Sequence, residues 1–195
     1  MNPEKQSYHS DWWSVYKGSL FAIERNSRGW EKAVRAPGVR LILDDQKAGK
    51  ILLTREFRSE LGDYDYRLPG GKVFDSLAEF QTYYKSGKDI GEAAVNKAVQ
   101  EAREETGYKV VDPELVVKST LGATVEWDLY VFKVTDFQKH EEGQALEEGE
   151  DIETDLWFTY EETREMILSG KMQEERIALA LLRYLYDKEA DERFD

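Results

Sequence analysis

The sequence contains no cysteine. That excludes disulfides, thiolate zinc sites and a cysteine nucleophile together, and it fits a reducing, cytoplasmic setting. Histidine is scarce, with only His9 and His140 present, so a histidine-rich metal centre is excluded as well. Any metal must be held mainly by oxygen, which points to magnesium, calcium or manganese. Basic residues are in deficit: 27 stand against 40 acidic ones, for a formal net charge of −13. Such a chain repels nucleic acid and anionic membrane surfaces at long range, so neither is expected as a partner. A phosphate compound is still admissible where a local basic cluster or bound cations receive it. No apolar run approaches the roughly 20 residues that span a bilayer, and the polar stretch Met1–Asp11 lacks the apolar core of a signal peptide.

What is present describes an ordinary folded domain. The chain has 195 residues, 41% hydrophobic and 34% charged, enough to bury a core without staples. The first half reads as strands. Apolar residues populate 13–25, broken at Gly18, and a short run follows at 30–35 after Gly29. Val39–Leu43 and Ile51–Phe57 flank the turn-like stretch 44–50, the pattern of a hairpin. Tyr64–Leu68 then runs into the sharp break Pro69-Gly70-Gly71.

Helical spacing begins at Leu77, Phe80, Tyr83 and Tyr84 and resumes over 91–106, where Ala94, Ala98 and Ala102 form a small-residue stripe suited to close packing on a sheet. Gly107 stands where a C-terminal cap glycine belongs. Strands are expected at 115–119, 129–134 and 156–158, an acidic loop at 136–151, and two closing helices at 161–169 and 173–187. The expectation is one α+β domain (38–195) behind an N-terminal antiparallel β segment (1–37).

The chemistry is concentrated in Gln100-Glu101-Ala102-Arg103-Glu104-Glu105-Thr106-Gly107. Residues three and four apart on a helix share a face, so Glu101, Glu104 and Glu105 converge, with Glu92 on much the same side. Like charges so placed cost about 0.2–0.5 kcal/mol per pair. A hard divalent cation would turn that repulsion into coordination, with the backbone carbonyls of Pro69-Gly70-Gly71 as further donors. Three clustered glutamates also describe a solvated helix face, and the spacing alone leaves both readings open.

The wider pattern resembles the Nudix box. That signature ends arginine-glutamate-aliphatic, any residue, two glutamates, any residue, glycine, aliphatic, and carries an earlier glutamate at a fixed distance. Glu92, Glu101, Ala102, Glu104, Glu105 and Gly107 fall on these positions, and Leu68-Pro69-Gly70-Gly71-Lys72 matches the segment that opens the box. Two departures stand out. The arginine that orients the glutamates is Gln100, which lacks its charge, and Arg103 lies one turn away in a different register. The stretch from Val73 to Gly91 is also longer than the family spacing, an insertion that the helix at 77–84 fills. Both imply a weakened activity or an altered substrate.

The resemblance extends to the ADP-ribose pyrophosphatase subgroup through Glu56-Phe57-Arg58, Glu150-Asp151-Ile152-Glu153 and the C-terminal helix. It implies an α/β/α sandwich and metal-dependent hydrolysis of a nucleoside diphosphate sugar. ADP-ribose is the first substrate expected, yielding AMP and ribose 5-phosphate, with another nucleotide sugar such as GDP-mannose, or a nucleotide-binding module without turnover, as the alternatives. It further implies Mg2+ (with Mn2+ as a substitute) on Glu101, Glu104, Glu105 and the Gly70 carbonyl. Glu104 and Glu105 are thereby implied in catalysis, and the base is Glu148 or Glu150 from the acidic loop. Arg58, and less strongly Arg67, are the candidates for substrate phosphate, because a guanidinium fork matches phosphate oxygens. Trp12, Trp13 or Phe21 could stack on a base, or serve only in packing. A homodimer that exchanges the N-terminal segment is part of the same implication.

Overall fold

A computed structural model describes residues 11–59 and 61–192. The first ten residues of the N-terminal segment, His9 among them, lie outside that range. The centre is a mixed sheet in the order β12-β5-β4-β10-β8, with β6 paired to β5. Its strands are β4 (Gly38–Asp45), β5 (Lys50–Arg58), β6 (Asp63–Arg67), β8 (Glu114–Ser119), β10 (Leu129–Val134) and β12 (Ile152–Thr159). β4 and β10 run parallel, with Val39 opposite Tyr130, and the other pairings are antiparallel.

β4 is the middle strand and is buried on both faces, which is why it does not alternate apolar with polar; Leu41, Ile42 and Leu43 follow one another, and even Arg40 is buried. Val39, Leu41 and Leu43 point to one layer, where they meet Ala94, Ala98 and Ala102. Ile42 points to the other and meets Met166, Ile177 and Leu181. One layer is thus built on α2 (Ile90–Glu101), whose alanine stripe lets its backbone approach the sheet. The other consists of α3 (Tyr160–Leu168) and α4 (Glu175–Glu192). This is the expected α/β/α sandwich. At its edge with α4, the fully buried Asp44 accepts hydrogen bonds from Tyr160, Tyr184 and Lys188.

The N-terminal strands β1 (Trp12–Lys17), β2 (Phe21–Asn26) and β3 (Glu31–Arg35) form a separate antiparallel sheet, extended by the short β9 (Val125–Glu126) running parallel to β3. The stretch between Gly71 and Glu92 holds α1 (Leu77–Lys85), whose Leu77 packs on Ala22 and Val34 of this sheet. The inserted helix therefore ties the N-terminal sheet to the sandwich.

Several elements differ from the sequence reading, the short β9 among them. β7 (Tyr108–Val111) pairs with β11 (Asp136–Lys139), so the acidic loop begins only after Lys139. The strand around Trp157 is longer, starting at Ile152. The last turn of the carboxylate helix, Ala102–Thr106, is a π-helix. No helix among the described residues is long and apolar enough to cross a membrane.

Candidate active site

α2 starts at Asp89, whose side chain accepts from Gly91 N at 2.8 Å. It ends, through the π-helical turn, at Gly107 in the left-handed conformation (φ 72°). Turns of this type are frequent at functional sites. Here the wider turn carries Glu104 and Glu105, directly after Glu101. All three line one cleft of about 390 Å³ between the sheet and the segments around Gly70 and Glu150.

The Gly70-Gly71 segment is zipped to β4 on both sides: Leu41 N donates to Pro69 O at 2.9 Å and Val39 N to Gly71 O at 3.0 Å. Gly70 N donates to Glu105 Oε2 at 2.7 Å, and Arg40 Nη1 donates to Gly70 O at 2.5 Å. Both glycines are dictated by space. Gly70 has φ 138°, and a Cβ there would strike the Val39 carbonyl; a Cβ on Gly71 would occupy the position of the Glu101 carboxylate.

Glu101 and Glu105 are buried. Burial pushes the Glu105 carboxyl up to about 8; the Gly70 N–H opposes the rise and the neighbouring Glu101 charge adds to it. Glu101 is likewise raised by burial, with Lys97 opposing. Lys97 Nζ lies 3.1 Å from Glu101 Oε1 and 3.9 Å from Glu104 Oε2. Gln100 Nε2 donates to Glu104 Oε1 at 2.8 Å. The charge missing at Gln100 is therefore supplied from Lys97. Arg103 turns away, donating to Gly143 O and Glu142, and Glu92 is exposed.

The donor chemistry fits a hard divalent cation. It is all oxygen, and burial raises both Glu101 and Glu105, with a neighbouring carboxylate adding to each rise, which a cation would relieve. Among the described residues, no three carboxylates are already gathered into a cage. The Gly70 carbonyl is engaged by Arg40 but keeps a second lone pair.

Basic side chains line the cleft as well. Arg58 and Arg67 both line the cleft, as do Arg35, Arg40, Lys72 and Lys97. Most of that charge is matched in place. Arg58 Nη1 pairs with Glu56 at 2.9 Å, and Arg67 bonds Glu56 at 3.1 Å and Glu174 at 2.8 Å. Arg35 differs. Its guanidinium sits 4.2 Å from the Trp127 ring centre and 5.3 Å from that of Phe21, with no hydrogen bond or ion pair to another described residue. Burial pulls its pKa below the ordinary guanidinium value; Glu174 opposes the shift, and Arg58 and Arg67 add to it. Carboxylates around the cleft outnumber basic side chains eight to six.

The remaining sequence candidates divide. From the acidic loop, Glu150 lines the cleft and so does Glu147, whereas Glu148 is exposed and outside the lining. Loop residues carry no periodicity from which facing could be read. Trp13 is half exposed on β1 and outside the lining, and Phe21 reaches the cleft only through Arg35. Sequence reasoning missed Arg35, Arg40, Trp127, Glu147 and Glu174 in the lining. Lys97 alone had a local signal in this role, standing four residues before Glu101.

A family model described as NUDIX domain matches residues 34–180. The chain is 26% identical over 158 residues to the ADP-ribose pyrophosphatase of Bacillus subtilis (strain 168), covering 80% of this chain and 76% of that protein. A solved structure described as an ADP compounds hydrolase superposes with a TM-score of 0.63 at 15% identity, over 94% of this chain and 93% of that one, and so shares its fold.

Proposed function

Since this chain belongs to the Nudix family of pyrophosphohydrolases, we propose that it hydrolyses the diphosphate bond of a nucleoside diphosphate sugar, ADP-ribose first, to AMP and ribose 5-phosphate. The observation that carries this reading is the cleft itself. Glu101, Glu104 and Glu105 stand on one helical turn, the loop carboxylates Glu147 and Glu150 on a second side, and Arg35 and Arg58 on a third.

Glu101, Glu104 and Glu105, with the Gly70 carbonyl, would hold Mg2+, or Mn2+ in its place. A cation bound there would neutralise diphosphate charge and lower the pKa of a water. That is also how a net-acidic cleft admits an anionic substrate. The protein's own work is positioning. Arg35 and Arg58 hold phosphate oxygens through their guanidinium forks. Glu150 takes the proton from the attacking water, and Glu147 is the second candidate because it shares the same turn. Lys97 and Gln100 keep the glutamates in orientation.

Residues 1–37, of which 11–37 are described, are read as a distinct β segment. Its exposed Trp13, Tyr16 and Trp30 support a second copy of the chain as partner. The absence of cysteine supports a cytoplasmic location.

The test is hydrolysis of ADP-ribose and GDP-mannose with Mg2+ by the wild type and Glu105→Gln. AMP release from ADP-ribose that requires the metal and is lost in the variant is expected. Turnover of neither substrate would overturn the reading.

A further inference from the structure

The last four carbonyls of any helix have no partner within it. In the carboxylate helix these include the carbonyls of Glu104 and Glu105, and both are taken by the acidic loop. Ala145 N donates to Glu104 O at 2.9 Å. The Gln144 side-chain amide donates through Nε2 to Glu105 O at 2.5 Å and to Ile152 O at 3.1 Å. One side chain thus bridges the end of the carboxylate helix and the start of β12, the two points between which the loop is strung. The helix returns the contact through Arg103, which donates to Gly143 O, and the loop adds a further bond, from His140 N to Gly107 O at 2.7 Å. The approach is close enough that a Cβ on Gly107 would lie 2.7 Å from the Gly143 carbonyl carbon. A few residues beyond this staple, Glu147 and Glu150 form a turn, with Glu147 N donating to Glu150 Oε2 at 2.9 Å, and both reach the cleft.

We propose that Gln144 is a positioning residue for the hydrolysis. Its amide fixes the register of the acidic loop on the turn that carries Glu104 and Glu105, so that Glu147 and Glu150 face the carboxylate site at a set distance. The proposal rests on the functional reading above, in which the loop supplies the base. The same peptide units therefore hold both halves of the machinery: the side chains of Glu104 and Glu105 point to the cleft, while their carbonyls anchor the loop. The amide can do this because it donates twice, to two carbonyls that belong to different elements. A glutamate of the same length offers no donor and would set a carboxylate against both carbonyls.

The experiment uses the full chain as wild type, Gln144→Ala and Gln144→Glu, each also combined with Glu147→Gln/Glu150→Gln. Amide hydrogen exchange over 140–151 is expected to quicken roughly fivefold to tenfold in both Gln144 variants, with exchange over 90–101 unchanged. With ADP-ribose and Mg2+, kcat is expected to fall on the order of 100-fold with KM little moved, the effect of a misplaced group. Removing Gln144 should cost nothing further once Glu147 and Glu150 are already changed, because it acts through them. Losses that multiply, or loop exchange that does not change, would overturn the proposal. If the wild type turned over no substrate, the functional reading would fail, and the exchange measurement would still judge the staple by itself. A Gln144 variant that lost protection over 90–101 as well would mark the residue as part of the general fold and would also overturn the assignment.

Discussion

Gln100 donates through Nε2 to Glu104 Oε1 at 2.8 Å, one helical turn along. At the position where the Nudix signature has an arginine, orientation by a neutral amide is kept and the charge is delivered separately by Lys97, 3.1 Å from Glu101. Both Lys97 and Glu101 are largely buried, so removing the lysine leaves a carboxylate with little solvent to receive it. Lys97→Met is expected to cost about 1–3 kcal/mol of stability in EDTA. Added Mg2+ should raise its melting temperature by more than that of the wild type, because the cation then supplies the missing positive charge. Thermal unfolding with and without Mg2+ checks this, and an equal metal-induced rise in both proteins would count against it.

Gly70 and Gly71 are adjacent yet constrained by different neighbours. A side chain on Gly70 would meet the Val39 carbonyl, whereas one on Gly71 would meet first the end of the Glu101 side chain. Gly70→Ala should therefore act on the fold, costing about 1–3 kcal/mol, seen as a lowered denaturation midpoint. Gly71→Ala should act on the site: the Glu101 carboxylate moves aside, stability changes little, and hydrolysis drops on the order of 100-fold. The reverse pattern would mean that the Glu101 rotamer does not govern the site.

How far the sequence discloses this arrangement depends on the range of the interaction that produces it. Glu101, Glu104 and Glu105 are readable because helical spacing alone puts them on one side, and Gly107 because a helix end asks for a left-handed residue. The β4–β5 hairpin is readable from its turn composition. By contrast, Arg35 meets Trp127 only because the two-residue strand β9 adds to β3, and no local pattern announces a pairing that short and that distant. The β7–β11 pair has the same cause. Within the acidic loop, Glu147 and Glu150 reach the cleft and Glu148 does not, a distinction set by where Gln144 and Ala145 anchor the chain. The π-helical turn is equally silent in sequence.

Arg35 is held by rings rather than by carboxylates, which leaves its donors available to an anion. Charge-assisted hydrogen bonds of this kind contribute about 1.5–3 kcal/mol. Arg35→Met, which keeps the apolar stem between Phe21 and Trp127, is expected to raise KM for ADP-ribose about tenfold to a hundredfold with kcat less affected. Steady-state kinetics measure both. A fall in kcat at unchanged KM would assign Arg35 to the transition state instead.

Far from the cleft, Tyr184 donates to the buried Asp44 at 2.6 Å, where Tyr160 and Lys188 also donate. Burial, together with that hydrogen bond, raises the Tyr184 hydroxyl above its ordinary pKa. A group whose folded pKa is raised contributes stability that is complete below its unfolded pKa, about 10 for tyrosine. That stability is lost as pH climbs toward the folded value, because only the unfolded chain then releases the proton. Tyr184→Phe removes the group from both states. The variant should be less stable than the wild type at pH 8, by about 1–3 kcal/mol for the hydrogen bond lost to Asp44. The gap should close by about 1.4 kcal/mol per pH unit above pH 10. Urea unfolding of both proteins at pH 8, 10 and 11 measures the gap directly; a constant difference would show that Tyr184 ionises as readily in the folded protein as in the unfolded chain.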